Sequence, residues 1–408
     1  MKKLFEDSKK RNNIIFGFLW TLLTIGLFMT WYANWCKTYN TSLLAISYKY
    51  GFTSRGLIGT IYQTLGSFLG VDIWTYGAAK NFYFLCTVIF YALFAVAMVI
   101  ALRKAAVEEK KIMQYLILLL TIFTVPTFAC EFNFGRIDIF MLASSIAAII
   151  LLLIEKAEWL VIPLTAIGVM FHQGYVFMFY NIVLVILFVK IIDSDKNKKR
   201  KYIVIMVSSI LICSALFIWF QIVFRGGAAQ YFNEILENAK LVGRNGKAHT
   251  DLIRAEIQGV DLTEEEKIYR YCNVEEIIAW VVLMCPYIFI VLRTFVRLIK
   301  KQKMFWQKMK YLALGIGSLT MLPDFLFKVD FGRWTYAVIC YYMLVFILMI
   351  ALGDRDFIEE THRDVKSVSG KVFTPLLFAY PILFVPFNDI VIAELVDRVC
   401  ILVRSIMP

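Results

Sequence analysis

Three arginines with neighbouring glycines lie in polar segments between apolar runs. Arg55 stands in Thr-Ser-Arg-Gly, while Arg136 and Arg333 each follow Phe-Gly. A guanidinium binds phosphate oxygens through a planar fork and stays charged, and a glycine lets the backbone approach a ligand. These residues are predicted to bind a pyrophosphate, together with Arg225 and Arg244. The alternative is that each arginine anchors a helix end at the lipid headgroups or pairs with a carboxylate.

Candidate proton acceptors lie in the same part of the sequence. His172 ends an apolar run, and histidine takes a proton near neutral pH without a large pKa shift. Carboxylates accompany both Phe-Gly-Arg motifs: Glu131 and Asp138 flank the first, and Asp330 precedes the second. All four are predicted catalytic residues. The alternative for the histidine is a hydrogen-bonded packing role, and for the carboxylates it is the orientation of an arginine.

A metal site is not predicted. The sequence has no Cys-x-x-Cys pair and no cluster of His and Cys with metal-ligand spacing. Asp72 is the one acid in the first long polar segment, and it is far from Arg55 along the chain. His249 and His362 lie in other polar segments and are interpreted as incidental. We therefore predict a site without metal or cofactor.

The elements that must position these residues are membrane helices. The chain has 408 residues, of which 60% are hydrophobic and 18% charged, and its mean hydropathy is +0.69. Soluble domains are about 45–50% apolar and about 25% charged. The net charge of +12 is concentrated in short segments between apolar runs. This placement is typical of the positive-inside bias of membrane proteins and argues against a nucleic-acid partner.

The fold class predicted is all-α: one polytopic membrane domain, 1–408, with about 11 transmembrane helices in a helical bundle with long outer loops. One run, 158–171, is short and is expected to span only part of the bilayer. The predicted spans lie near 13–33, 81–102, 112–128, 138–154, 158–171, 174–192, 202–224, 275–297, 311–326, 335–352 and 372–388.

Lysine and arginine clusters predict the orientation of the chain. The basic segments include Met1–Asn12, Lys190–Lys201 and Arg293–Lys310, and they alternate with segments that have few basic residues. The N-terminus is therefore predicted to be cytoplasmic and the candidate site to face outward. Three further outer features are predicted: a loop with an interfacial helix at 34–80, a large loop at 225–273 with helices near 229–241 and 250–258, and a surface-lying C-terminal helix at 389–408.

A short motif occurs twice. Pro-x-Phe, five further residues and Phe-Gly-Arg appear at 126–136 and again at 323–333. Both copies are predicted to end one helix at its outer end and to begin the next. Internal repeats of this kind are frequent in membrane proteins whose site lies between two halves. Chance similarity is the alternative interpretation, because few positions match.

The stretch EFNFGRIDIFMLASSIAAII at 131–150, followed by MFHQGYV at 170–176, resembles the EpsG and O-antigen polymerase (Wzy-type) families of bacterial envelope polysaccharide synthesis. Members have an arginine at the outer start of one helix and a histidine near the outer end of the following helix, which Arg136 and His172 match. The resemblance covers about 50 residues closely, with the helix number and the large late outer loop in addition.

The resemblance implies glycosyl transfer at the outer face of the bacterial plasma membrane. The donor would be a glycan on undecaprenyl pyrophosphate, and the partners would be an acceptor glycan, membrane lipid and other proteins of envelope biosynthesis. The arginines would stabilise the leaving pyrophosphate, and His172 or a carboxylate would accept the proton. The alternatives are a polyprenyl phosphate-dependent transferase of single sugars, a flippase or transporter of lipid-linked sugars, and an acyl or phosphoglycerol transferase.

Overall fold

The computed structural model describes residues 21, 25–26, 36–129, 134–224, 226–259, 274–323 and 331–366. This described part is helical and contains no β-strand. The predicted all-α class is therefore confirmed there. Of the predicted elements, the span 13–33 is described only at three residues, and 372–388 and 389–408 lie outside the described residues.

The described residues form fifteen α-helices, which are numbered in chain order. Their bounds are α1 Thr38–Ser42, α2 Gly56–Leu69, α3 Tyr76–Lys104, α4 Lys110–Ala129, α5 Asp138–Ile154, α6 Val161–Phe171, α7 Tyr175–Met178, α8 Tyr180–Asp193, α9 Lys196–Ile218, α10 Phe232–Val242, α11 Thr250–Gln258, α12 Val274–Lys301, α13 Phe305–Ile316, α14 Phe331–Ala351 and α15 Arg355–Lys366. Short 3₁₀ turns occupy Leu43–Ala45, Tyr48–Tyr50, Val107–Glu109, Glu158–Leu160, Ala229–Tyr231, Arg244–Gly246 and Gly317–Met321, and a π-turn at Trp219–Val223 extends α9.

Three helical segments of the described part are long and apolar enough to cross a membrane. They are Tyr76–Lys104, Lys196–Val223 and Arg333–Ala351. In Arg333–Ala351, 94% of the most apolar 18-residue stretch is buried. In Lys196–Val223 the corresponding share is only 22%. Arg333–Ala351 is therefore central in the bundle, whereas α9 turns an apolar face to its surroundings, as a lipid-facing helix does.

Some helix ends show a local reason for their position. The Asp195 carboxylate accepts hydrogen bonds from the backbone N–H groups of Asn197 and Lys198 and so caps the start of α9. α5 begins with Asp138, an acid in the first turn, which the helix dipole favours. Its last turn is followed by Glu155 in the left-handed conformation. Local chemistry thus accounts for these bounds.

The apolar run 174–192 is divided into α7 and α8, unlike the single span predicted. Phe179 separates the two helices, and its carbonyl accepts a hydrogen bond from the Ser145 hydroxyl at 2.8 Å. A side chain of α5 therefore contacts the backbone at the junction of α7 and α8. The neighbouring helix α6 has 11 residues, so it extends about 17 Å, less than the ~30 Å of a bilayer core.

The helices α5 and α14 begin at the same end of the described bundle. Asp138 at the start of α5 bonds to Arg333 in the first turn of α14. Beyond their other ends lie Glu155, which bonds to Lys190 of α8, and Asp354. We call the end with Asp138 and Arg333 the arginine end, and the end with Glu155 and Asp354 the lysine end.

Two helices of the polar segment 225–259 pack on the arginine end through one face each. In α11 the side chains of Leu252, Ile253 and Ile257 are buried, and in α10 the buried face includes Ile235 and Ala239. This spacing of three and four residues buries one stripe of a helix. Both helices lie in the intervals 229–241 and 250–258 in which helices were predicted, to within one residue.

Candidate functional site at the arginine end

Arg55 lies in a strained backbone position directly before α2. Its φ of 60° is in the left-handed region, which residues other than glycine seldom adopt. The next residue, Gly56, begins the helix, and a Cβ there would lie 2.8 Å from ring carbons of Tyr48. Close packing between the two segments therefore requires glycine at this turn and holds the arginine in its unusual conformation.

The loop before α2 is tied to the helix by side chains. Ser47 donates a hydrogen bond to the Gln63 side chain, and the Gln63 amide donates to the carbonyl of Leu44. The backbone N–H of Tyr48 donates to the Thr60 hydroxyl at 2.8 Å. The strained position of Arg55 is thus maintained by the surrounding hydrogen bonds.

The Arg55 guanidinium contacts three side chains from three different segments. Nη1 donates to the Tyr39 hydroxyl at 2.8 Å and lies 3.2 Å from Oε1 of Glu256. Nη2 lies 2.7 Å from Nε2 of His172. Nε is buried and has no hydrogen-bond partner among the described residues. The side chain is only 12% exposed, so this cation is largely removed from water.

Neighbouring charges set the pKa of Arg55. Burial lowers this pKa, while the carboxylate of Glu256 and the hydroxyl of Tyr39 raise it, and the net direction is upward. Arg333 also lowers it and Asp138 raises it. The Asp138–Arg333 pair is therefore close enough for its charges to act on Arg55, and the predicted residues from these segments form one electrostatic cluster.

His172 meets two hydrogen-bond donors. The backbone N–H of Gly174 donates to Nδ1 at 2.7 Å, and the Arg55 guanidinium approaches Nε2 at the same distance. A neutral imidazole has one acceptor nitrogen and one N–H, and a guanidinium can only donate. In one of the two contacts, therefore, two N–H donors face each other. An acceptor oxygen beside the pair, at hydrogen-bond distance from both Nη2 of Arg55 and Nε2 of His172, would remove this conflict.

The residues adjacent to Arg55 and His172 also bond to each other. The Ser54 hydroxyl donates to the side-chain oxygen of Gln173. Two consecutive residues before α2 thus contact two consecutive residues after α6. This paired contact fixes the loop of Arg55 to the end of the helix that positions His172.

Asp138 and Arg333 form a second ion pair at the same end. Oδ1 of Asp138 accepts hydrogen bonds from Nε of Arg333 at 3.2 Å and from Nη2 at 3.0 Å. The carboxylate is 6% exposed and the guanidinium 19%. The carboxylate accepts two hydrogen bonds from one guanidinium, so the geometry favours the predicted alternative in which Asp138 orients an arginine.

Arg136 follows a turn that the first polar segment holds in place. The Phe134 carbonyl accepts a hydrogen bond from the Asn40 side-chain amide at 2.7 Å, and the Asn40 carbonyl accepts one from the Tyr83 hydroxyl. Gly135 has a φ of +80°, and a Cβ there would lie 2.9 Å from the Cys36 sulfur. Only glycine suits both the conformation and the space, and Arg136 follows half-buried.

The two Phe-Gly-Arg motifs differ in structure. The first forms a turn before α5, so that Arg136 lies two residues ahead of the helix. The second lies within the first turn of α14, which begins at Phe331. Arg333 pairs with Asp138, which lies two residues after the first copy. The second motif begins a helix, as predicted. The first motif ends two residues before the next helix begins.

Other predicted residues are farther along the chain or are not described. Arg244 is half-buried and opens a 3₁₀ turn before α11. Glu131, Arg225 and Asp330 lie outside the described residues. Arg55, Arg136, Asp138, His172 and Arg333 all lie at the arginine end.

Glu256 and Tyr39 are absent from the residues predicted from the sequence. Glu256 had a usable signal: with Leu252, Ile253 and Ile257 it forms an i, i+1, i+4, i+5 pattern, so an acid lies on the apolar face of an amphipathic helix. Tyr39 lies in an aromatic-rich loop and had no such signal.

His249, interpreted from the sequence as incidental, has two contacts near the site. Its Nδ1 accepts a hydrogen bond from the backbone N–H of Leu252 and caps the start of α11. Its ring meets that of Tyr39 edge to face at 5.4 Å. The histidine thus links the helix of Glu256 to the tyrosine that bonds Arg55.

Metal-binding clusters were also considered. Among the residues that the structure describes, no group of three or more His, Cys, Asp or Glu side chains could hold a metal ion. The absence of a metal from the function stays a prediction.

Comparison with known proteins leaves the family open. No protein-family model, no curated protein and no solved structure matches this chain. The resemblance to the EpsG and Wzy-type families therefore stays a hypothesis based on the sequence, and the function rests on the geometry of the site.

Proposed function

We propose that the chain is an envelope polysaccharide polymerase that transfers a glycan from an undecaprenyl pyrophosphate-linked donor to an acceptor sugar hydroxyl. The product would be an O-antigen, capsule or related polymer. The observation that carries the proposal is the 2.7 Å contact between Nη2 of Arg55 and Nε2 of His172, where a phosphate oxygen beside the pair would accept from both side chains.

A phosphate oxygen at that point would accept from both facing donors. Gly174 N–H holds Nδ1 of His172 as an acceptor, so the proton of the neutral ring resides on Nε2. Nε2–H and Nη2–H of Arg55 then donate to the same oxygen. In this state His172 binds the leaving group, and a carboxylate accepts the proton of the acceptor hydroxyl.

The remaining arginines add positive charge where the leaving group develops negative charge. Arg55, Arg136 and Arg333 bring three permanent cations to the arginine end, against the described anions Asp138 and Glu256. Loss of a pyrophosphate needs such stabilisation, and preorganised donors in a site with little water supply it effectively. The chemistry requires no metal.

The proposal places about 11 spans in a bacterial plasma membrane, with the N-terminus cytoplasmic and the arginine end outward. Basic residues of the lysine end, such as Lys198 and Lys201, belong to a segment rich in lysine, which supports its cytoplasmic assignment. The lipid tail of the donor would lie among the helices in the bilayer. Acceptor glycan and other envelope-biosynthesis proteins would approach from outside.

The overall proposal is tested by the lipid-linked glycans of a deletion strain complemented with wild type or Arg333→Ala. We expect single repeat units on undecaprenyl pyrophosphate to accumulate, with rescue by the wild type alone. A polymer that lacks only a side-chain sugar would indicate a single-sugar transferase. Lipid-linked units trapped on the inner face would indicate a transporter, and full activity of Arg333→Ala would remove the arginine from the mechanism.

The role of His172 is tested by comparing His172→Gln with His172→Ala. Glutamine keeps an N–H that can donate to a phosphate oxygen but cannot act as a base near neutral pH. We therefore expect the glutamine variant to retain substantially more polymerase activity than the alanine variant. Equal and complete loss in both variants would instead assign His172 as the proton acceptor.

A further inference from the structure

Glu256 forms an ion pair with the Arg55 guanidinium, the group that a phosphate ligand would bind. Its Oε1 lies 3.2 Å from Nη1 of Arg55, and the side chains of Glu256 and Arg55 are only 11% and 12% exposed. A buried carboxylate and a buried guanidinium compensate each other's loss of hydration. Glu256 therefore stands where an anionic group of a ligand would bind.

We infer that Glu256 is a resident counterion of Arg55 that leaves the guanidinium when a pyrophosphate-bearing ligand binds. This inference rests on the proposed function, because it takes Arg55 as a phosphate ligand. A pyrophosphate and a carboxylate on one guanidinium repel each other, and the ligand has more charge and more acceptor oxygens. The affinity for ligand is then lowered by the free energy needed to displace Glu256.

The helix α11 connects this exchange to the large polar segment. Glu256 lies near the C-terminal end of α11, and His249 at its N-terminal cap contacts Tyr39, whose hydroxyl accepts from Arg55. Both ends of α11 are therefore linked to the Arg55 guanidinium, one end directly through Glu256 and the other through His249 and Tyr39. The buried Leu252, Ile253 and Ile257 keep the helix packed when the carboxylate leaves.

The affinity test uses the purified full-length chain in detergent and titrates inorganic pyrophosphate by calorimetry. Glu256→Gln removes the competing charge, so we expect about ten-fold tighter binding than in the wild type. The matched control is Glu234→Gln, since Glu234 pairs with Lys49 on the exposed surface of the same polar segment. The control should bind pyrophosphate as the wild type does. Equal or weaker binding by Glu256→Gln overturns the inference.

The variant Arg55→Ala separates this inference from the proposed function. Loss of pyrophosphate binding in Arg55→Ala without a gain in Glu256→Gln contradicts the counterion role alone. Undiminished binding in Arg55→Ala contradicts the phosphate site itself. Absence of binding in all the proteins, the wild type included, contradicts both.

A second measurement needs no substitution and covers the case in which Glu256→Gln does not fold. Hydrogen exchange of the wild type is followed with and without saturating pyrophosphate. We expect faster amide exchange in the last turn of α11 with the ligand, because this turn loses the bond from Glu256 to Arg55. Unchanged or slower exchange there, at saturation, overturns the inference.

Discussion

At the lysine end, Nζ of Lys310 lies 3.1 Å from Asp193 and 2.7 Å from Asp354, and the Tyr311 hydroxyl donates to the same Asp354 carboxylate. At the arginine end, Arg55 has a strained backbone, an Nε without a partner among the described residues, and a donor-against-donor contact with His172. Lys310 is therefore compensated by two carboxylates, whereas Arg55 is only partly satisfied, as the proposed phosphate site requires.

The largest effect is expected at the lysine end, on stability. Lys310→Met leaves the buried Asp354 without its cation, at a cost of about 3–5 kcal/mol in the free energy of unfolding. Thermal unfolding in detergent measures the loss, and the exposed Lys308→Ala serves as the control. Activity per folded molecule should not change. If Lys310→Met lost activity at unchanged stability, the lysine end would not differ from the arginine end in being purely structural.

The next effect is expected on activity at the arginine end. Arg55→Lys keeps the charge but loses the planar fork, and we expect polymerase activity to fall about 10²- to 10³-fold, as when a donor to a developing anion is removed. Lys49→Ala, in the same loop but exposed, is the control. Thermal stability should change less than it does in Lys310→Met. A larger loss of thermal stability in Arg55→Lys than in Lys310→Met would assign Arg55 a structural role.

A double-mutant cycle tests whether Asp138 and Arg333 act as a unit. The substitutions Asp138→Asn and Arg333→Gln, alone and together, should show a coupling free energy of about 0.5–3 kcal/mol in stability, because the two side chains share two hydrogen bonds. Unfolding of the four proteins measures it. Additive effects would mean that the two residues contribute independently.

The smallest effect is expected on the stability of the protein at acidic pH. Hydrogen bonds from Lys198 and Lys190 lower the pKa of Glu155 to about 2, from an ordinary value of 4.5. The carboxylate therefore contributes stability above pH 4.5, and this contribution is lost as the pH falls from 4.5 towards 2. The side chain is 40% exposed, so after the discount for solvent screening we expect about 1 kcal/mol at most.

The test compares unfolding temperatures at neutral pH and near the lower end of that window. Glu155→Gln should lose less stability on acidification than the wild type does. Glu237→Gln, which removes an exposed pair with Lys240, should retain the acid sensitivity of the wild type. Identical behaviour of all three proteins would exclude Glu155 as the source.

Much of the helical architecture could be predicted from the sequence, because helix formation depends on interactions within a few residues and on the surrounding solvent. The predicted run 138–154 coincides with α5, and the predicted helix 250–258 with α11. The interruption at Phe179 could not be predicted, since it depends on Ser145 of another helix. The count of about 11 spans stays a prediction.

The sequence by itself determined which side chains are available: arginines beside glycines, a histidine at the end of an apolar run, and helices to hold them. Only the tertiary structure decided their partners. Arg55 and His172 are 117 residues apart along the chain, and Asp138 and Arg333 are 195 apart. Periodicity and capping act over a few residues, whereas such pairs form when distant helices pack, so local patterns contain no information about them.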